Sequence, residues 1–329
     1  MVEKIKSFYR GLIPQYIRKP IRDFRLEKEF HFDCEIEFYG AYKVILKHLG
    51  VTKILYPKRK MLNWSHGWYS DFFMDNAKYA YMACCYKYYN EPGRFNFVTR
   101  KSQENFLKER GYQNTKAIGM PIVYIPKESK VKRIPNSLLI MPGHSLESQK
   151  LETFEDEYVK LINSFKNDFA KVVVCIHPAC IKNNQWISTL KAESFEIVNG
   201  FELSNTNTFY GIRDLMSQFE FMTTNACGSH IMYASYFGCK VSIMGKEPTY
   251  SVSVYNEEPN WANDPDKGPI LESYEKVRLS NYKIHYPSLF VKHPRFAKEN
   301  IELANYELGV DCKISTHQFN KVVKNHFEK

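Results

Sequence analysis

The second half of the chain alternates short apolar runs with longer amphipathic stretches. Five apolar runs predict buried strands: 137–141, 171–176, 195–198, 219–222 and 241–244. Helix-like spacing of apolar residues separates them and predicts helices at 153–166, 208–217 and 229–237. Strands that alternate with helices in this way predict an α/β fold with a doubly wound parallel sheet.

The first half shows the same alternation in a less regular form. Residues 95–99 predict a strand, and Ser102 is placed to cap a helix that stops at Gly111. Residues 116–124 predict another strand, with a turn at Gly119. The alternation therefore predicts a second Rossmann-like unit.

Chain length sets the number of domains. At 329 residues, with 44% hydrophobic and 25% charged residues, the chain fits two folded domains. A polar, proline-bounded stretch without apolar period predicts the linker between them. The predicted division is a basic amphipathic segment at 1–30, an N-terminal Rossmann-like domain at 31–125, the linker at 126–136, a C-terminal Rossmann-like domain at 137–300 and a helical region at 301–329.

Positive charge is concentrated at the start of the chain. The formal net charge is +10, and residues 1–28 contain eight basic and three acidic residues. Aromatic and aliphatic residues lie between the bases at roughly helical spacing, interrupted by Pro14 and Pro20. This pattern predicts a segment that lies on an anionic membrane surface. The alternative is a strap that packs on a neighbouring domain and leaves its bases solvated.

The eight cysteines have neither CxxC spacing nor the spacing of metal ligands, and several lie in apolar runs. They predict reduced thiols in a cytosolic protein. The sequence also lacks an apolar run of about 18 residues and a signal-peptide core. We therefore expect a cytoplasmic protein at the inner face of the membrane.

Chemically active residues follow the predicted strands of the second half. In an open α/β sheet, ligands bind beyond the carboxyl ends of the strands. A helix that starts there offers free N–H groups to an anion such as phosphate. Each signal has an alternative: Gly228 and Ser229 would only permit tight packing at the helix start, and His177 would only cap a helix. The candidate donor-binding residues are His144, Ser145, His177, Asn225, Gly228 and Ser229.

The first half offers candidates for catalysis. His66 has an unperturbed pKa suited to deprotonating a hydroxyl, and Asp71 is placed to orient it or to be the base instead. Trp64 and Trp68, which flank His66 in a predicted loop, would provide a platform for sugar stacking. The alternative for His66 is a structural role, which is more common for a lone histidine. Asp264 and Asp266 have the spacing of a metal-binding pair, but their proline-rich surroundings indicate a turn.

These motifs resemble GT-B glycosyltransferases of bacterial capsule and O-antigen synthesis. The resemblance spans nearly the whole chain through loose motifs. They are Phe97-Val-Thr, Gly111-Tyr112, Ile118-Gly-Met-Pro121, His177-Pro178, Gly228-Ser229 with Ala234 and Gly238, and the tail Glu307-Leu-Gly309, Lys313-Ile-Ser315 and Phe319. The His-Pro motif and the serine at a helix start are also similar to sialyl- and Kdo-transferases, which use CMP-sugars.

That resemblance implies roles for individual residues. In the family, the second domain holds the donor, and the first holds the acceptor and supplies the base. His177 and Ser229 would then hold the donor, and His66 would activate the acceptor hydroxyl. Gly228 stands where a second serine would complete the sialyltransferase pair. The chain also lacks the glutamate that many retaining relatives carry in the last helix, which favours inversion.

The expected function is glycosyl transfer from a nucleotide-sugar to a hydroxyl of a growing capsule, O-antigen or lipooligosaccharide glycan. No cofactor or metal is expected. The expected partners are a nucleotide-sugar, a glycan or lipid-linked glycan acceptor and an anionic membrane, but not nucleic acid, because the basic clusters lack a nucleic-acid motif. The alternatives are a sugar-nucleotide epimerase on the same fold, a basic nucleic-acid-binding protein and a scaffold without activity.

Overall fold

The computed structural model shows an α/β protein with two separate parallel sheets. It describes residues 44, 61–64, 67–74, 94–145, 154–201, 205, 207–248 and 277–327. The predicted basic segment at 1–30 lies outside these residues. The predicted α/β class is confirmed by the two sheets, which we call sheet A and sheet B.

Sheet A is the smaller sheet. Its strands are β1 (Met61–Trp64), β2 (Arg94–Val98) and β3 (Thr115–Ala117), and they pair in parallel in that order. Helix α1 (Lys101–Glu109) joins β2 to β3 and buries Leu107 completely. The predicted cap at Ser102 is wrong, because a capping box between Arg100 and Gln103 starts this helix. Residues 121–124, which we predicted as strand, form a 3-10 turn.

Sheet B has five parallel strands in the order β6-β5-β4-β7-β8. The strands are β4 (Ile134–Ile140), β5 (Lys171–Ile176), β6 (Glu196–Asn199), β7 (Phe219–Thr224) and β8 (Lys240–Ile243). The connecting helices are α2 (Glu155–Ser164), α3 (Pro178–Lys182), α4 (Ile187–Ala192), α5 (Thr208–Ser217) and α6 (Ser229–Tyr236). Each predicted strand of this half is present, although β4 begins within the predicted linker.

The apolar runs form strands here because helices cover both faces of the sheet. Leu138, Leu139 and Ile140 are fully buried, and they divide between two hydrophobic clusters. Leu139 faces one cluster, while Leu138 and Ile140 face the other. Alternation between two buried faces explains why residues 138–140 of β4 are continuously apolar.

The C-terminal region returns to sheet A through helices α7 (277–285), α8 (Ile301–Glu307) and α9 (Thr316–Phe327). The ring of Phe319 stacks on Phe97 of β2 at 5.4 Å between centroids. Gly309 has a φ of 66°, and a β-carbon there would lie 2.1 Å from the carbonyl oxygen of Thr99. Only glycine fits this crossing of two backbones.

Within the described ranges, no helix combines the length and the apolar character needed to cross a bilayer.

Candidate functional site

The strand order of sheet B creates a crevice at its centre. The chain enters at β4, moves to one side through β5 and β6, and then crosses to β7 and β8 on the other side. The connections after β4 and β7 therefore leave in opposite directions. Ligands of open α/β sheets bind at such a switch point, beyond the carboxyl ends of the strands. The loop that follows β5 borders the same edge.

His177 lies at this edge, directly after β5. Its Nδ1 accepts a hydrogen bond from the N–H of Ala179 at 3.1 Å, and Pro178 occupies the first position of α3. Because Nδ1 accepts, the neutral ring carries its proton on Nε2, which is a donor. Burial, with a smaller contribution from the nearby His144, lowers the pKa of His177 to about 3. The side chain is therefore a neutral hydrogen-bond donor near pH 7.

His144, which follows β4, stacks on His177. The ring centroids are 4.4 Å apart and the planes differ by 24°. His144 Nδ1 lies 3.0 Å from the carbonyl oxygen of Ser145. A carbonyl only accepts, so Nδ1 carries the proton and Nε2 presents a lone pair. His144 lies at the rim of the crevice and is partly exposed to solvent. Loss of hydration from the surrounding protein lowers the pKa of His144, and repulsion from Arg278 contributes.

His230 is a third imidazole at this edge, and the sequence analysis missed it. It lies in the first turn of α6, with Nε2 2.9 Å from the hydroxyl oxygen of Thr224. Burial lowers the pKa of His230 to about 3, with a contribution from His144. A β-carbon on Gly228 would lie 3.1 Å from the Nδ1 of His230. Gly228 therefore leaves room for this ring. Its backbone conformation is extended and does not itself require glycine.

Two predicted donor-binding residues hold the loops of the crevice together. Asn225 accepts a hydrogen bond from Gly143 N–H at 2.9 Å and donates to the carbonyl of Lys246 at 3.0 Å. It therefore links the segments after β4, β7 and β8. Ser145 is buried, and its hydroxyl accepts a hydrogen bond from Asn183 at 3.2 Å. Both side chains shape the crevice and make these protein contacts.

Arg278, from the C-terminal region, places a positive charge near His144 of the crevice. Arg278 on α7 donates to Glu247 at 2.7 Å, and the same carboxylate oxygen accepts the N–H of Cys227 at 3.1 Å. Arg278 also lies near enough to His144 to lower its pKa by repulsion. No local sequence pattern indicated this arginine, because it is distant in the chain from every strand of sheet B.

Trp64 and Trp68 lie inside the protein, which contradicts their predicted role as a sugar platform. Trp64 belongs to β1, is 0% exposed and donates its indole N–H to the carbonyl of Gly119 at 2.8 Å. Trp68 is 4% exposed and donates its indole N–H to Glu307 at 2.7 Å. Neither buried ring presents a face on which a sugar could stack.

Asp71 is held in a buried network at the carboxyl edge of sheet A. Its carboxylate accepts hydrogen bonds from Arg100 at 2.7 Å, Ser102 at 2.9 Å and Tyr306 at 2.5 Å. Arg100 also donates to Glu307 at 2.5 Å. These ion pairs make Asp71 a structural anchor rather than a free base. We call the set of Trp68, Asp71, Arg100, Tyr286, Tyr306 and Glu307 the Arg100 network.

The carboxyl edges of the two sheets meet at Ser229. Its hydroxyl oxygen accepts a hydrogen bond from the backbone N–H of Trp68 at 2.8 Å. Trp68 follows β1 of sheet A, and Ser229 starts the helix after β7 of sheet B. Two Rossmann-like units with facing carboxyl edges form the GT-B architecture predicted from the sequence.

His66 and the acidic pair at 264 and 266 lie outside the described residues. Within the described part of the chain, no group of three or more metal-ligating side chains converges on one point. The described cysteines Cys175, Cys180, Cys227, Cys239 and Cys312 are not joined in disulfide bonds.

No protein-family model and no curated protein matches this sequence. Among solved structures, MnaA from S. aureus with UDP is 11% identical, with 88% of this chain and 81% of that chain covered and a TM-score of 0.41. UDP-GlcNAc 2-epimerase from Neisseria meningitidis bound to UDP-GlcNAc is 14% identical, with 81% and 70% covered and a TM-score of 0.36. S. aureus TarM with UDP, fondaparinux and alpha-GlcNAc-glycerol is 13% identical, with 82% and 51% covered and a TM-score of 0.35. Similarity at this level identifies no activity.

Proposed function

We propose that this protein is a glycosyltransferase that moves a sugar from a nucleotide-sugar to a hydroxyl of a growing bacterial surface glycan. The observation that carries the proposal is the position of His144, His177 and the start of α6 at the switch point of sheet B. A phosphate-bearing ligand is the class of molecule that this edge is suited to hold.

The donor phosphates would contact the neutral Nε2–H of His177 and the first N–H groups of α6. The first N–H groups of a helix have no partner within the helix, and they carry partial positive charge. His177 adds a donor whose direction is fixed by its bond to Ala179. The proposed reaction requires no metal, because these groups meet the phosphate charge.

The acceptor would enter from the side of sheet A. We propose that His66 removes the proton of the acceptor hydroxyl, and that the sugar is transferred with inversion. Asp71 is less suited to this role because its carboxylate is paired with Arg100.

A screen of nucleotides tests the donor site first. UDP, GDP, CDP and CMP are added in a thermal-shift assay, in which a ligand at a hundred times its Kd stabilises by about 2.7 kcal/mol. We expect one nucleotide to raise the melting temperature, and EDTA to leave that shift unchanged. If none of these nucleotides shifts the melting temperature, the proposal is wrong.

The second step distinguishes a transferase from the epimerase alternative. The protein is incubated with the sugar forms of the nucleotide that binds, together with glycan acceptors. Release of free nucleotide with a lengthened acceptor supports the transferase. A changed sugar that is still attached to the nucleotide would identify an epimerase.

We also propose that the segment 1–30 places the enzyme on the cytoplasmic face of the membrane. Deleting residues 1–28 should release the protein from vesicles that contain anionic lipid, because each base near such a surface contributes about 1 kcal/mol. Equal sedimentation of both forms with the vesicles would contradict this proposal.

A further inference from the structure

The edge of sheet B opposite the crevice carries two exposed basic segments. The first is 127–133, which leads into β4 and contains four exposed basic side chains, Lys127, Lys130, Lys132 and Arg133. Arg133 donates to the backbone carbonyls of Phe237 at 2.6 Å and Gly238 at 2.5 Å, just before β8. These bonds hold the segment against the amino ends of the strands.

The second segment is 292–298, from the C-terminal region. Arg295 donates to Oδ1 of Asn136 at 3.2 Å and to the backbone carbonyl of Asp168, near the starts of β4 and β5. The turn Pro294–Phe296 also contacts β7 and β8. The basic side chains exposed on this segment are Lys292, Arg295 and Lys298. We call the segments 127–133 and 292–298 together the amino face.

Positive charge on the amino face is not neutralised by neighbouring acids. The two segments contain seven basic residues and one acidic residue, Glu128. Among the described residues, none of these seven side chains forms an ion pair with a carboxylate. The carboxylates at the same edge already contact other partners, in the pairs Glu196–Lys171 at 3.3 Å, Glu220–Lys240 at 3.0 Å and Asp168–His293 at 3.0 Å.

An exposed aromatic ring lies among these bases. Phe296 is 66% exposed, directly after Arg295 and two residues before Lys298. Its ring centroid is 5.8 Å from that of His293, which leaves most of the ring in solvent. An aromatic ring surrounded by basic side chains suits the interface of an anionic bilayer, where the ring enters the headgroup layer and the bases bind lipid phosphates.

We propose that the amino face docks on an anionic membrane surface with Phe296 inserted, as a second contact in addition to segment 1–30. The six residues of β5 span about 20 Å, at about 3.3 Å for each residue. The crevice therefore opens on the side of sheet B that points away from the bilayer. Nucleotides would reach it from the solvent while the protein stays bound to lipid.

Sedimentation with vesicles tests the basic segments. The full chain is mixed with vesicles of phosphatidylcholine, alone or with added phosphatidylglycerol. Lys130→Gln with Lys132→Gln, and separately Lys292→Gln with Lys298→Gln, should each weaken binding to the anionic vesicles about tenfold or more, because each base near such a surface contributes about fivefold.

A matched pair of lysines provides the control. Lys182 follows β5 at the opposite edge, and Lys321 lies on α9, which packs on sheet A. Both are exposed, so Lys182→Gln with Lys321→Gln removes the same charge elsewhere. This variant should bind the anionic vesicles as tightly as wild type. All three double variants should keep the melting temperature and the nucleotide affinity of wild type.

The aromatic ring has its own test. Phe296→Ser should weaken binding to the anionic vesicles about tenfold or more, because a buried phenylalanine side chain contributes at least that much. Phe296→Trp should keep the binding, and its fluorescence should be quenched by brominated lipid beyond any quenching of the wild-type protein. That quenching requires contact with the bilayer interior.

The outcomes identify the partner of the amino face. Equal vesicle binding by wild type and both lysine variants of the face, or loss of binding in the control as well, would overturn the proposal. Absence of added quenching in Phe296→Trp would overturn it too. Binding to RNA that the same variants abolish, without binding to vesicles, would assign the face to nucleic acid instead. The nucleotide screen decides the proposed function separately, because the crevice lies at the other edge.

Discussion

Polar side chains cluster at the carboxyl edge of each sheet, but the two clusters differ in how their charges are paired and in how far solvent reaches them. In the Arg100 network, Arg100 is 3% exposed and bonds Asp71 and Glu307, so its charges are paired inside the protein. In the crevice of sheet B, the imidazoles of His144, His177 and His230 lie where solvent reaches them, and burial lowers the pKa of each, so the three rings are neutral near pH 7.

The contrast separates a structural cluster from a candidate binding site. A buried ion pair with complete hydrogen bonding fixes the position of its segments and has no capacity left for a ligand. A neutral, partly accessible group such as the Nε2–H donor of His177 keeps that capacity. The predictions that follow test this distinction, from the largest expected effect to the smallest.

Removing one partner from the Arg100 network should have the largest effect on stability. Glu307→Ala leaves Arg100 buried without one of its carboxylates and removes the acceptors of Trp68 and Tyr286. We expect a loss of about 3–5 kcal/mol in the free energy of unfolding, measured with urea. Glu302→Ala, at an exposed position of the same helix, is the control and should change stability by less than about 0.5 kcal/mol. Equal effects of the two variants would contradict the structural role.

Removing a histidine from the crevice should weaken ligand binding instead. We expect His177→Ala to lower nucleotide affinity by about 1–3 kcal/mol, measured by calorimetry. His293 provides a matched control, because it also precedes a proline and accepts an N–H bond at 3.1 Å, from Arg295. It lies beside Asp168 instead, away from the crevice. If His293→Ala weakened binding equally, the site would be misplaced.

Acid should destabilise the protein through the crevice histidines. Burial lowers the pKa of His177 and of His230 from 6.5 to about 3, so protonation favours the unfolded chain. Their stabilisation is complete above pH 6.5 and is lost as the pH falls towards 3. Between pH 7 and 5.5, we expect a loss of about 1 kcal/mol for each histidine, measured by urea unfolding.

Between pH 7 and 5.5, protonation of carboxylates contributes little to the change in stability. Burial alone would raise the pKa of Glu104, but hydrogen bonds from Lys108 and other donors lower it to about 2. The stabilisation from Glu104 is therefore lost only as the pH falls below 4.5, the ordinary pKa of a glutamate. A protein with His177→Gln and His230→Gln should therefore show a flatter profile between pH 7 and 5.5. An unchanged profile would show that other groups dominate.

Loss of the hydrogen bond between Ser229 and the Trp68 N–H, which joins the edges of the two sheets, should have the smallest effect on stability. Ser229→Ala removes the acceptor of the Trp68 N–H, and we expect a loss of about 1 kcal/mol in stability. Nucleotide affinity should fall less than in His177→Ala. Ser164→Ala, which removes an exposed bond to Leu161, is the control and should be nearly neutral. A large loss of affinity with no loss of stability would assign Ser229 to the ligand alone.

Sheet B could be predicted from the sequence because its strands carry their own signal. Both faces of β4 and β5 are covered towards their carboxyl ends, so residues 138–140 and 172–176 are continuously apolar. The histidines at the strand ends followed from the rule for ligand sites in parallel sheets. The ring contacts that set their tautomers depend on atomic positions that no sequence pattern encodes.

The first half was less predictable because distant residues decide its burial. Trp64 and Trp68 flank a histidine in a polar stretch, which is typical of an exposed sugar site. Trp68 instead packs against Tyr282 and Tyr286 of the C-terminal region, at 4.9 and 5.6 Å between ring centroids. Contacts over more than two hundred residues leave no trace in a local pattern.

The return of the C-terminal region to sheet A sets an order for biosynthesis. All five strands of sheet B, with the helices between them, have left the ribosome once Ile243 is free, so this sheet can pair before the C-terminal region is translated. The core of sheet A needs Leu308 and Phe319, which are translated later. We therefore expect the second unit to fold first during translation, the reverse of the usual N-terminal-first order. Until Phe319 emerges, Phe97 of β2 lacks the ring that stacks on it in the folded protein, and we expect this face of sheet A to be prone to aggregation.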